Sequence, residues 1–284
     1  DGAVAVAEKM KMPQIVIGLT IVAMGTSMPE FCVSLISALK GTSDLAVGNI
    51  VGSNIFNTLL IVGVSALVAP MSIMKTTVRK DIPFALVAST LLLIMCLDGD
   101  ISRIDAAILF VMFLIFMYIT LRGAKAQGTD VEEKEKKPMA TWLSVVWILV
   151  GLACLIGGSN LFVDGATAVA TKLGVSEAVI GLTIVAGGTS LPELATSVVS
   201  ARKGNSGIAI GNVLGSNVFN ILAILGLTGV ISPMTLKGIT MTDLSMMVIS
   251  IILIWLFSFT KYKIERWEGA ILTAVFVGYI YSLL

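Results

Sequence analysis

Nine stretches of this chain are apolar over about the thickness of a bilayer, which removes water as the solvent for most of it. They fall at 14–40, 45–70, 81–98, 102–122, 141–170, 178–203, 207–231, 241–260 and 265–284. Roughly 17 to 25 such residues carry a helix across a hydrocarbon core of about 30 Å. The chain is 56% hydrophobic and 13% charged, as expected of a polytopic membrane protein. Backbone groups in lipid must bond within their own segment, and barrel strands would alternate in polarity. The expected elements are therefore helices, giving an all-α membrane protein.

The chain also contains itself twice. GLTIVAMGTSMPEFCVSLISALKGTSDLAVGNIVGSNIFN begins at Gly18, and GLTIVAGGTSLPELATSVVSARKGNSGIAIGNVLGSNVFN begins at Gly181, an offset of 163. Gly18–Met71 aligns with Gly181–Met234 without a gap, with 30 identities in 54 positions. The identities fall on Gly, Thr, Ser, Pro, Glu and Asn, so shared greasiness does not explain them. Asp1-Gly2-Ala3 maps onto Asp164-Gly165-Ala166, before which a helix runs from about Thr141. Its counterpart is expected to lie upstream of Asp1, so the first copy is read as lacking most of its first helix. That reading gives five helices per copy, ten in all and about nine in this sequence. An odd number turns the second copy upside down in the membrane. The division is 1–122 for the first inverted copy, 123–140 for a linker and 141–284 for the second.

Charge tests the inversion, because Lys and Arg collect in cytoplasmic loops. One alternate set of loops holds 15 of the 19 basic residues, among them Lys75, Arg79, Lys80, Arg202, Lys203, Lys261 and Lys263. The other holds 4: Lys40, Arg103, Lys172 and Lys237. The first set is read as cytoplasmic, which also places the polar, mixed-charge linker in the cytoplasm. A net charge of +1 and no basic tract interleaved with aromatics give no sign of a nucleic-acid partner. With no histidine, imidazole zinc sites, Ser/His/Asp triads and His proton relays are excluded. Cys32, Cys96 and Cys154 sit in apolar segments without paired spacing and read as packing residues. Asp1 and Asp164 read as interfacial caps near a helix end.

Each copy sets a proline and a glutamate inside an apolar run, Gly25-Thr26-Ser27-Met28-Pro29-Glu30 and Gly188-Thr189-Ser190-Leu191-Pro192-Glu193. Proline removes a donor and crowds the preceding turn, so each helix is expected to break there and to free carbonyls around Ala23 and Ala186. Of the 18 acidic residues only Glu30 and Glu193 lie well inside apolar runs. A buried membrane carboxylate costs several kcal/mol and marks a functional site. Inversion brings equivalent points together, and two carboxylates in one dry site stay charged only beside a cation. Oxygen ligands without His or Cys suit hard ions such as Ca2+ or Na+. Thr26 and Thr189 precede the glutamates by four residues, and Ser27 and Ser190 by three.

The second repeated motif is Gly48-Asn49-Ile50-Val51-Gly52-Ser53-Asn54-Ile55-Phe56-Asn57, matched by Gly211 to Asn220. Asn49, Ser53 and Asn57, like Asn212, Ser216 and Asn220, recur every four residues and form a polar stripe on one helix face. Gly48-x-x-x-Gly52 and Gly211-x-x-x-Gly215 permit close helix packing. The Ser53/Asn57 and Ser216/Asn220 pairs accompany the Glu motif in both copies and are read as ion-coordinating.

These doubled motifs resemble the calcium/cation antiporter superfamily, most closely prokaryotic sodium/calcium exchangers, over essentially the whole chain. The resemblance implies a ten-helix exchanger, not an enzyme and without a cofactor, in which four helices line a central site. Alternating access would come from sliding of the first helix of each copy, in a prokaryotic plasma membrane. By motif position it carries ion coordination onto the Ala23 and Ala186 carbonyls, Thr26, Ser27, Glu30, Ser53, Asn57, Thr189, Ser190, Glu193, Ser216 and Asn220. Some members, including potassium-dependent ones, carry Asp where this chain has Asn220, so Asn at both 57 and 220 argues against potassium dependence. The leading expectation is Na+/Ca2+ antiport with both ions competing for Glu30 and Glu193. Ca2+/H+ exchange is the alternative, followed by a passive channel and, last, an intramembrane enzyme.

Overall fold

The computed structural model describes residues 13–126 and 141–283. Most of the 123–140 linker, and Asp1, lie outside the described residues. The helices are α1 (Gln14–Thr26), α2 (Met28–Leu39), α3 (Ser43–Val68), α4 (Thr77–Asp98) and α5 (Arg103–Ala126) in the first copy. The second copy has α6 (Thr141–Lys172), α7 (Ala178–Thr189), α8 (Leu191–Arg202), α9 (Ser206–Ile231), α10 (Met241–Ser258) and α11 (Arg266–Leu283). Among the described residues, α3, α4, α5, α9 and α10 are each long and apolar enough to cross a membrane as one helix. The pairs α1–α2 and α7–α8 raise that to seven if each counts as a span bent at its middle. With α6 and α11, the nine apolar runs all form helices. Four spans, α3 to α6, lie between α1–α2 and its equivalent α7–α8, so single crossings invert one copy against the other.

The centre is α3 and α9, whose most apolar windows are 78% and 94% buried. Glycines allow this. A Cβ on Gly18 would stand 2.8 Å from the Gly211 Cα, and one on Gly215 would stand 2.6 Å from the Leu19 carbonyl oxygen. Across the pseudo-symmetry, a Cβ on Gly52 would stand 2.5 Å from the Leu182 carbonyl oxygen. Thus α1 of the first copy packs on α9 of the second, and α7 on α3. In lipid this contact gains nothing from expelling water, so it rests on the close fit that small residues allow. Two short antiparallel ladders tie the copies at their ends. β1 (Met71–Ser72) pairs with β4 (Lys263–Ile264), and β2 (Asp100–Ile101) pairs with β3 (Met234–Thr235).

The helices widen into π turns at equivalent places, Gly18–Val22 with Gly181–Val185 and Phe56–Ile61 with Phe219–Leu225. Such turns disturb the regular backbone ladder and recur at functional sites. Two expectations are corrected. Cys96 is buried, but Cys32 and Cys154 are exposed and do not pack in the interior. Asp164 is exposed within α6 and caps nothing, because the helix runs on to Lys172 before Gly174 closes it at φ +78°.

The glycine contacts give a direct test. Gly52→Ala should destabilise the detergent-solubilised protein by about 1–3 kcal/mol, read as a lower Tm. Gly123→Ala, at a glycine with open space around it, should leave Tm unchanged.

Candidate cation site

Helices α1 and α2 meet at 47°, and α7 and α8 at 46°. The hinges are Ser27 (φ −84°, ψ 11°) and Ser190 (φ −85°, ψ 7°), each followed by a fresh helix with proline in its opening positions. Proline is tolerated there because the first N–H groups of a helix have no partner within it. The break therefore creates a new helix N-terminus inside each apolar run, with Glu30 and Glu193 in its first turn. The positive end of the helix favours a carboxylate at that position.

The expected freeing of the Ala23 and Ala186 carbonyls does not occur. Ala23 O accepts from Ser27 N–H at 3.0 Å and Ala186 O from Ser190 N–H at 3.1 Å, since the helix before each hinge keeps its last bond. Both also accept from the neighbouring hydroxyls, Thr26 Oγ1 and Thr189 Oγ1, at 3.3 Å.

The serines join the copies. Ser27 Oγ donates to Glu193 Oε1 at 2.8 Å, and Ser190 Oγ donates to Glu30 Oε1 at 2.9 Å. Each carboxylate is thus held by the hinge of the other copy. Ser216 Oγ also donates to Glu193 Oε1 at 3.3 Å, whereas Ser53 Oγ turns to the Ala186 carbonyl at 3.4 Å.

Asn49 and Asn212 brace this arrangement. Asn49 Nδ2 donates to the Glu30 carbonyl and to Ser34 Oγ, while Asn49 Oδ1 accepts from Thr189 Oγ1 at 3.1 Å. Asn212 does the same for the Glu193 carbonyl, Ser197 and Thr26. The Thr26 and Thr189 hydroxyl hydrogens are therefore directed at protein acceptors.

Asn57 Nδ2 donates to Asn217 Oδ1 and Asn220 Nδ2 to Asn54 Oδ1, both at 3.1 Å. Asn54, Asn217 and Thr58 were not singled out from the sequence. Asn54 and Asn217 stand in the repeated Gly-Ser-Asn triplet, one step off the four-residue stripe, and that repetition was the available signal.

Glu30, Glu193, Asn57 and Asn220 are fully buried, and each keeps one oxygen without a hydrogen-bond partner: Glu30 Oε2, Glu193 Oε2, Asn57 Oδ1 and Asn220 Oδ1. An unpaired buried acceptor costs about 1–3 kcal/mol, and more when charged. Among the described residues no three His, Cys, Asp or Glu side chains group as a metal site. Two carboxylates with neutral amide and hydroxyl oxygens suit a hard cation held exchangeably.

Inverted copies, broken helices and paired buried carboxylates define a membrane cation exchanger. The chain belongs to the sodium/calcium exchanger protein family, whose model matches residues 1–122 and 143–284. It is 39% identical over 99% of its length to the putative antiporter CaxA of Alkalimonas amylolytica, of which 92% is covered. It is 33% identical, with 99% and 92% coverage, to the sodium/calcium exchanger MaX1 of Methanosarcina acetivorans. The fold matches the solved sodium-calcium exchanger NCX_Mj, soaked with Na+ and Sr2+, at a TM-score of 0.84 and 31% identity. That match covers 100% of this chain and 91% of the other. The all-α fold of two inverted copies and the role of antiporter rather than enzyme rest on these matches, and no cofactor is needed.

Glu30→Gln keeps the size of the side chain and removes its charge. Folded yield and helical circular dichroism should stay as in the wild type. Protection of the purified protein by Ca2+ against thermal denaturation should need about tenfold more Ca2+ or vanish. Unchanged protection would exclude Glu30 as a ligand.

Proposed function

We propose that this antiporter exchanges Na+ for Ca2+ at a site near the middle of the bilayer built around Glu30 and Glu193, reached alternately from either side. The observation that carries the reading is the set of unpartnered buried oxygens on Glu30, Glu193, Asn57 and Asn220. Their residues come from both copies, the glutamates tied across by the Ser27–Glu193 and Ser190–Glu30 bonds and the asparagines by Asn57–Asn217 and Asn220–Asn54. The Thr26, Ser27, Thr189, Ser190, Ser53 and Ser216 hydroxyls and the Ala23 and Ala186 carbonyls complete the proposed ligand set with their remaining lone pairs. Ca2+ takes 6–8 oxygens, so a subset suffices.

Two carboxylates carry a charge of −2, which one Ca2+ neutralises. Na+ competes for the same oxygens, and competition for one cage makes either ion displace the other. The named relatives support this choice of ions: MaX1 and NCX_Mj are both called sodium/calcium exchangers. The proposal includes the division into copies at 1–122 and 141–284, a cytoplasmic 123–140 linker and a prokaryotic plasma membrane. The inner-membrane relative YrbG of Escherichia coli, 38% identical over 96% of this chain, supports that placement.

Vesicles containing the protein and loaded with Na+ should accumulate radiolabelled Ca2+ when diluted into Na+-free buffer, and collapsing the Na+ gradient should stop uptake. Uptake driven by a pH gradient without Na+ would reassign the counter-ion to H+. Flux that neither saturates nor needs a counter-ion would indicate a channel.

A further inference from the structure

An asparagine at a cation site has a polarity problem. Its amide presents an acceptor on one prong and a donor on the other, and only the oxygen prong attracts a cation. We propose that Thr58, Asn54 and Asn217 are positioning residues that lock the Asn57 and Asn220 amides with their oxygens toward the carboxylates. This rests on the cation site proposed above.

The direction of the relay follows from a group that cannot be reversed. The Asn54 backbone carbonyl is only an acceptor, and Thr58 Oγ1 donates its single proton to it. The Thr58 oxygen is left as an acceptor, so Asn217 must turn its NH2 prong to it, at 2.8 Å. Asn217 Oδ1 then faces Asn57 and accepts from Asn57 Nδ2. Every donor prong is thereby committed, and Asn57 Oδ1 is left facing no protein donor.

The other copy reaches the same end by one link fewer. Ile221 stands where Thr58 stands in the first copy, so no hydroxyl is available. Asn54 Nδ2 donates instead straight to the Asn217 backbone carbonyl at 3.3 Å, with Met247 Sδ 3.9 Å away. Asn54 Oδ1 therefore accepts from Asn220 Nδ2, and Asn220 Oδ1 is left unpartnered. Both chains start at a backbone carbonyl just before a π turn and end at an oxygen of the candidate site. Because each is anchored on a backbone acceptor, the polarity does not depend on how an isolated amide is oriented. All five residues are fully buried, so water offers no substitute partner.

Thr58→Val keeps the shape and removes the hydroxyl. Asn217 then loses the acceptor that orients it, and Asn57 can turn its NH2 toward the ion. Calcium titrations of the purified full chain should show affinity weakened by roughly five- to tenfold in Thr58→Val. Thr58→Ser should restore it. In an Asn57→Ala background, Thr58→Val should have no further effect, because the oriented group is gone. Wild-type affinity in Thr58→Val, no rescue by Thr58→Ser, or an equal loss in the Asn57→Ala background would overturn the relay. If the wild type itself binds no Ca2+, the proposed function fails first, and this inference with it.

Discussion

A buried carboxylate oxygen without a hydrogen-bond donor is among the hardest groups to keep inside a membrane protein, and this fold keeps two where its broken helices meet, besides Glu268 Oε1. Glu30 and Glu193 each have one oxygen satisfied by a serine and one left open. Much of the rest of the structure follows from making that tolerable. Each helix breaks where proline can sit, the break supplies a helix N-terminus, and the carboxylate occupies its first turn. In the proposed function the remaining charge is left for a mobile ion rather than a fixed lysine or arginine.

Exchange of partners between the copies is the second consequence. The first copy's hinge serine serves the second copy's glutamate, and its threonine serves the second copy's Asn212. Neither half can therefore complete the polar cluster alone. The glycine contacts between α1 and α9 and between α7 and α3 bring backbones close enough for these short side chains to reach. A Cβ at Gly52 would push α3, which carries Ser53, off α7, and one at Gly215 would push α9, which carries Ser216, off α1. Packing and site geometry are thus one constraint.

Much of this was legible beforehand. Duplication exposed the inverted copies, the apolar runs marked nearly the correct helices, and proline with glutamate in an apolar run marked the break. The errors have physical causes. Ala23 and Ala186 were expected to lose their backbone partners, but a proline in the opening positions of a new helix leaves the preceding i+4 bond intact. Asp164 looked like a cap because periodicity does not show where an apolar helix stops. Asn54 and Asn217 were passed over because they lie off the stripe containing Asn49, Ser53 and Asn57. The π turns that rotate the helix at this level do not register in a pattern read at constant pitch.

The sequence by itself determined which elements form, their number and inversion, and which side chains are too polar for their surroundings to be idle. These depend on local chemistry and spacing, which duplication doubles. The tertiary structure alone decided which serine meets which glutamate and which oxygen of Asn57 and Asn220 is left without a donor. Hydrogen-bond direction belongs to a pair of groups, and here the partners lie in opposite copies, 160 residues apart for Ser190 with Glu30. No single-chain pattern encodes that relation, because it exists only once the two copies are packed face to face.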